Sequence, residues 1–215
     1  DNTLLDVLSV KASDPLASAS GALGKFINKH NLPLDKIKKI AITGVGSSFI
    51  DMNLFGIETV KINEFTSIGL GGTYLVQADK AIVVSMGTGT AFVRVENGKV
   101  KHLGGTGVGG GTLMGLSKEI LHTLDFNKIL EMTEKGDLGK VDLRLADISQ
   151  EEIGSLLKWI TVSNFGKSSD DATKEDLAAG IFNMVFQTIG MLSIFAARME
   201  GDKNIIFTGQ LANIP

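Results

Sequence analysis

Leu103-Gly-Gly-Thr-Gly-Val-Gly-Gly-Gly-Thr-Leu-Met-Gly-Leu116 is the stretch on which the reading of this chain turns. Residues 104–111 carry six glycines in eight positions and open directly onto a helix expected over Thr112–Leu124. Before it, Lys99–Leu103 and Thr90–Val95 read as two strands joined at Asn97-Gly98, a dipeptide suited to a type I′ hairpin turn. A second tight loop, Met86-Gly87-Thr88-Gly89-Thr90, links that hairpin to the apolar run Ala81–Ser85. Half of the 26 glycines fall between Gly69 and Gly115. Clustered glycines let backbone N–H groups approach a ligand closely, so function is sought there.

The fragment Gly105-Thr-Gly107-Val-Gly109-Gly110 matches G-x-G-x-x-G, but its context argues against a dinucleotide site. It follows the second arm of a hairpin, and its helix leads to another helix instead of a second parallel strand. No Gly-Lys-[Ser/Thr] follows, so it is not a Walker A loop. What remains is a glycine loop at a helix N-terminus, where unpaired N–H groups and the helix dipole suit a phosphate. A tight structural turn is the alternative. In the 86–90 loop the glycines fit a hairpin corner, which leaves the Thr88 and Thr90 hydroxyls either functional or incidental.

The flanks give further elements. Residues 14–30 read as a helix capped by Asp14 with Pro15 at its first position. Ile40–Thr43 and Thr59–Ile62 read as short strands, and Glu64–Gln77 as a helix. Its Gly69, Gly71 and Gly72 each cost about 1 kcal/mol relative to Ala, a cost that close packing would explain. Glu64 at the strand–helix boundary reads either as a first-turn carboxylate favoured by the dipole or as a reactive group. Phe126–Glu134, Ser149–Ile160 and Ala172–Glu200 read as helices, Ser163–Lys167 as a loop and Ile205–Thr208 as a final strand before Gly209.

Composition bounds the possibilities. Gly makes up about 12% of 215 residues against a usual ~7%, but three prolines and no G-X-Y period exclude collagen and low-complexity disorder. A net charge of −3 argues against nucleic-acid binding. The absence of Cys excludes a disulfide scaffold and Cys-ligated metals, and it fits a cytoplasmic protein. No run of about 18 apolar residues occurs, so no membrane span is expected. Asp1 and Pro215 look like cut ends.

Taken together, Val84–Thr90, the hairpin and Leu103–Leu116 closely resemble the type II pantothenate kinases, of the actin-like superfamily that includes acetate and sugar kinases and Hsp70. Asp137–Asp147, Ser163–Lys167 and Ile205–Gly209 match as well, so the likeness runs from about residue 36 to the C-terminus. The resemblance implies an α/β, actin-like (ribonuclease H-like) ATPase fold of mixed sheets flanked by helices, incomplete at both ends. Residues 1–80 would be the remainder of an N-terminal lobe and 81–215 a truncated nucleotide-binding lobe. It implies transfer of phosphate from ATP, with Mg²⁺, to the primary hydroxyl of pantothenate, the first step of coenzyme A biosynthesis. Glu64 takes the place of the family's general base, and Thr88 lies near the acceptor. Gly87, Thr106, Gly107, Gly109, Gly110, Gly111 and Thr112 map to the nucleotide phosphates, with Thr208 and Gly209 near the nucleotide. Coenzyme A or acyl-CoA would be a feedback ligand, and the long helix 172–200 would help form a homodimer.

Three departures stand out. The family's opening Gly-Ile-Asp-x-Gly-Gly-Thr turn, whose Asp serves the metal, does not occur, and no metal ligand is assigned. The chain stops before the family's last helices. His102 stands where relatives carry an Arg, whose fixed, permanently charged fork His cannot reproduce. Two rival functions therefore stay open: a nucleotide- or acyl-CoA-binding regulatory domain without turnover, and an actin-like kinase for another small alcohol.

Overall fold

A computed structural model describes residues 3–10, 14–151, 154, 156–167 and 169–214. The chain divides into two compact units, Asp1–Ser67 and Ile68–Pro215.

In the first unit, helix α1 (Pro15–His30) starts where Asp14 accepts a hydrogen bond from the Ala17 N–H and ends at left-handed Asn31. Strands β1 (Ile40–Ile42) and β2 (Thr59–Lys61) pair in parallel, and Ile50, Leu54 and Ile57 form the buried centre. The extended segment 3–10 is tied to the end of α1, where Asp6 pairs with Lys29 (2.6 Å) and His30 (2.7 Å). The Lys29 ammonium, then His30 and the Val7 N–H, hold the Asp6 carboxyl down to about 2, well below its ordinary 3.8.

Helix α2 (Glu64–Val76) starts in the first unit and continues into the second. There a four-stranded sheet has the order β5-β4-β3-β8, with β3 Lys80–Met86, β4 Thr90–Glu96, β5 Lys99–Thr106 and β8 Ile205–Thr208. The first three strands form an antiparallel meander, and β8 returns parallel to β3. Asn97 and Gly98 both adopt positive φ (48° and 73°), the signature of the expected turn. Between β5 and β8 come α3 (Gly110–Leu116), α4 (Phe126–Lys135), the short β6 (Leu143–Arg144), α5 (Leu145–Ile148), β7 (Thr161–Ser163) and the long α6 (Lys174–Met199).

The sheet is covered on both faces, which explains why Ala81–Val84 is wholly buried. Ile82, Val84, Met86 and Phe92 join Leu113, Ile129, Ile181, Val185 and Ile189 in one core beneath α3, α4 and α6. On the other face α2 lies so close that added Cβ atoms at Gly69 and Gly72 would stand 2.9 Å from Val95 and 2.8 Å from Val83. Close packing therefore does account for these two glycines, while Gly71 faces open space. Helix α6 is long and apolar enough to cross a membrane. It also buries Asp176 and Ser193 and packs against α4 and the sheet, as a core helix does.

Some elements differ from the sequence expectation. Strand β5 runs on to Thr106, because Gly104 and Gly105 continue the pairing with Phe92 and Ala91. The following helix begins at Gly110, two residues before the expected Thr112. It widens to a π-turn over Ser117–Leu121 and stops at left-handed His122, short of Leu124. The helix expected over Ser149–Ile160 is absent from the described residues there, and Glu152, Ile153 and Ser155 lie outside them. Backbone bonds from Leu145 N–H to the Ile160 carbonyl and from Ala146 N–H to that of Lys158 draw this segment along the start of α5 instead.

Candidate functional site

The carboxyl ends of the parallel strands β3 and β8 lie side by side, with Ser85 in register with Thr208. Ligands of open α/β sheets gather at such strand ends. Two loops leave here, 87–89 after β3 and the turn Gln210–Asn213 after β8, and the start of α3 meets them. Together Gly87, Thr88, Gly110, Gly111, Leu113, Met114, Phe126, Gln210 and Leu211 line a cavity of about 480 Å³. That volume is within the usual range of small-molecule sites.

Gly209 is what brings the 210–213 turn over. Its φ of 96° and ψ of 179° are open only to glycine, and a Cβ there would collide with the Met86 carbonyl oxygen. Between the glycine loops the approach is equally tight. The Gly110 N–H donates to the Gly87 carbonyl and the Gly111 N–H to that of Thr88, both at 2.8 Å. A Cβ on Gly109 would lie 2.8 Å from the Gly89 backbone. Much of the glycine excess thus serves to let two loops touch.

The consequence for ligand binding is specific. The N–H groups of Gly110 and Gly111 are spent on the neighbouring loop, whereas no described residue accepts from the N–H groups of Thr88 and Gly89 or pairs with the Thr88 hydroxyl. Thr88 is exposed at the mouth of the cavity. Thr106 and Thr112 use their hydroxyls within the loop, and the Thr208 hydroxyl donates to the Val84 carbonyl at 3.4 Å.

Two further residues were singled out from the sequence, His102 and Glu64. His102 borders a second cavity of about 460 Å³, between β5 and the last turns of α6, with Phe92, Leu103, Leu192, Phe195 and Met199. A β-bulge there pairs Val93 with His102 and Phe92 with Gly104, leaving Leu103 as the extra residue. Glu64 is the first residue of α2, half-buried, just after β2 in the first unit.

Two charged groups escaped sequence reading. Asp142 is fully buried and accepts from Thr161 Oγ1 (3.0 Å), Asn164 Nδ2 (3.2 Å), Asn183 Nδ2 (2.7 Å) and the Phe165 N–H (2.9 Å). These bonds tie the 163–167 loop to α6. Asp202, also buried, pairs with Arg94 (3.0 Å) and Lys80 (3.1 Å) where α6 turns back into β8. The hydrogen bond to Asp202 holds the Arg94 guanidinium above its already high range. Only the partners, scattered from 80 to 183, reveal either residue, and no local pattern marks them.

These features define a mixed α/β protein whose glycine loops wall a cavity at the carboxyl ends of its parallel strands. Residues 80–213 match the model of the family described as Fumble. A type II pantothenate kinase of Bacillus cereus is 31% identical over 182 residues, covering 80% of this chain and 67% of that protein. One from Oceanobacillus iheyensis is 31% identical over 167 residues, covering 74% and 62%. One from Bacillus anthracis is 30% identical over 182 residues, covering 80% and 66%. The chain belongs to the Fumble family, that of the type II pantothenate kinases. It spans about two thirds of the length of these relatives.

Proposed function

We propose that the chain is the nucleotide-handling part of an ATP-dependent kinase that phosphorylates the primary hydroxyl of pantothenate, the first step of coenzyme A biosynthesis. The observation that carries this reading is the cavity walled by Gly87, Thr88, Gly110 and Gly111 at the ends of β3 and β8. It lies within the family-matched region. The meander followed by a helical crossover to a parallel strand supports an actin-like, ribonuclease H-like lobe over 81–215, with 1–80 as the remainder of the other lobe.

Thr88 stands near the acceptor, and its hydroxyl, with the unpaired N–H groups of Thr88 and Gly89, is available where the phosphate would pass to the acceptor hydroxyl. Phosphoryl transfer needs such positioning and charge stabilisation more than covalent chemistry. Gly110, Gly111, Thr208 and Gly209 shape the wall, and Thr106, Gly107, Gly109 and Thr112 support it. Glu64 is the base that takes the proton of the attacking hydroxyl. His102 belongs to the acceptor side. Mg²⁺ would neutralise phosphate charge when it arrives with the nucleotide. No group of three metal-ligating side chains stands among the described residues, so none is assigned as its cage. The exposed α6 residues Met191, Leu192, Ile194, Phe195 and Met199 are the face through which a homodimer would form. Coenzyme A or an acyl-CoA is the proposed feedback ligand, and the cytoplasm the proposed location.

The test is ADP release from ATP with pantothenate and a panel of other small alcohols, using the natural full-length protein. Pantothenate-dependent turnover is expected, and Glu64→Gln should cut kcat by at least about 10²-fold with ATP binding retained. Turnover with another alcohol alone would reassign the acceptor, and near-normal Glu64→Gln turnover would remove the base.

A further inference from the structure

Residues 107–109 belong to neither strand nor helix, yet they decide where α3 begins. Four hydrogen bonds on these three residues end on threonine hydroxyls. The Val108 carbonyl accepts from Thr90 Oγ1 at 2.8 Å, and the Val108 N–H donates to Thr106 Oγ1 at 3.2 Å. Thr112 Oγ1 donates to the Gly107 carbonyl at 2.8 Å and accepts from the Gly109 N–H at 3.3 Å. The three threonines stand at the start of β4, the end of β5 and the first turn of α3.

A hydroxyl has a single hydrogen to give. Thr90, only 4% exposed, gives its hydrogen to Val108, and Thr112 gives its own to Gly107. Neither side chain has a donor left for a ligand. Directly after this segment, Gly110 and Gly111 make their 2.8 Å bonds to the Gly87 and Thr88 carbonyls. The shape of 107–109 therefore sets the distance between the two glycine loops.

We propose that Thr90 and Thr112 are positioning residues, a hydroxyl clasp that holds the second glycine loop against the first and so fixes the wall of the 480 Å³ cavity. Its kinetic consequence rests on the reading that this cavity takes the nucleotide. The clasp supports the loop from behind. A glycine-rich segment has much conformational freedom to lose, and it has no side chains of its own at the glycines with which to restrain itself.

Thr→Val keeps the branched shape and removes the hydroxyl, while Thr→Ser keeps the hydroxyl. In the full-length protein, Thr112→Val and Thr90→Val should each raise KM for ATP about tenfold and leave KM for pantothenate within about twofold. The Ser variants should return KM for ATP to within about twofold of wild type. Hydrogen exchange at the Gly109, Gly110 and Gly111 amides, without ligand, should quicken about tenfold in the Val variants while the β8 amides keep their rates. Unchanged exchange in both Val variants would overturn the clasp. Equal rises in both KM values, with no rescue by Ser, would overturn its positioning role. If Thr90→Val fails to fold, the half-buried Thr112→Val decides alone. If the wild-type protein turns over no ATP with pantothenate, the kinase reading fails, and the exchange rates still judge the clasp.

Discussion

Gly71 and Gly72 are neighbours in α2, yet only the first should stabilise the protein when replaced with Ala. Both substitutions gain about 1 kcal/mol of helix propensity over Gly. At Gly71 a Cβ meets nothing within 4 Å, so the gain stands alone. At Gly72 the new carbon would lie 2.8 Å from Val83 Cγ1 and 3.3 Å from its Cγ2. Carbon contacts are comfortable at about 3.5–4.0 Å, so the nearer overlap is about 0.7 Å or more. Val83 is fully buried in β3 and, as a β-branched residue, has little rotamer freedom with which to yield. Overpacking of this kind costs about 1–3 kcal/mol. The propensity gain cancels between the two variants, so they should differ by about that same 1–3 kcal/mol. For a chain of this size the gap in Tm is about 2–12 °C. Urea unfolding followed by far-UV circular dichroism reads the difference directly, with equal m-values as the check on the unfolded state. Gly71→Ala should lie above wild type and Gly72→Ala at or below it. Equal stabilities, or a more stable Gly72→Ala, would refute the account of how α2 seats on the sheet.

Three further outcomes are expected. Gly209→Ala combines a positive φ with a collision against Met86, whereas Gly201→Ala, at φ 64° with open space around it, carries backbone strain alone. The first should lose about 2–4 kcal/mol and weaken nucleotide binding by calorimetry, the second about 1 kcal/mol with binding unchanged; equal losses would contradict the close approach of Gly209 to Met86. Asp142→Ala strands several half-buried donors and should cost about 3 kcal/mol or more in urea unfolding, and a neutral result would mean that the 163–167 loop is held by other contacts. Acid should release the segment 3–10 from α1. The folded-state pKa of Asp6 is depressed, so its contribution is present above about 4 and is lost as pH falls through about 2. The NMR shift of the Val7 amide, which donates to Asp6 at 2.8 Å, should titrate with a midpoint near 2, and a midpoint near 4 would remove the interaction.

Local chemistry was legible wherever the responsible groups are close in sequence. Asp14-Pro15 starts α1 and Asn97-Gly98 turns β4 into β5, because each cap or turn is built from adjacent residues. The apolar runs 81–85 and 205–208 announced strands for the same reason, the first buried over Ala81–Val84 and the second only partly covered. The start of α3 was less legible. Gly110 and Gly111 join the helix because carbonyls more than 20 residues earlier accept their N–H groups, and no helix propensity signals that. The segment 149–160 misled because its apolar spacing suggests a helix, while its backbone is drawn elsewhere by α5.

The sequence alone determined the family, the order of every strand except the short β6 and β7, and the concentration of glycine in two loops. It left open what the glycines are for. The tertiary structure decided that several of them are spent on contact between the loops, because hydrogen bonds to the Gly87 and Thr88 carbonyls consume amides that a phosphate could otherwise use. It also decided that Thr88 and Gly89 keep theirs, and that His102 borders a different cavity. Sequence records which polar groups a loop owns, but partners brought together by folding determine which of them remain available.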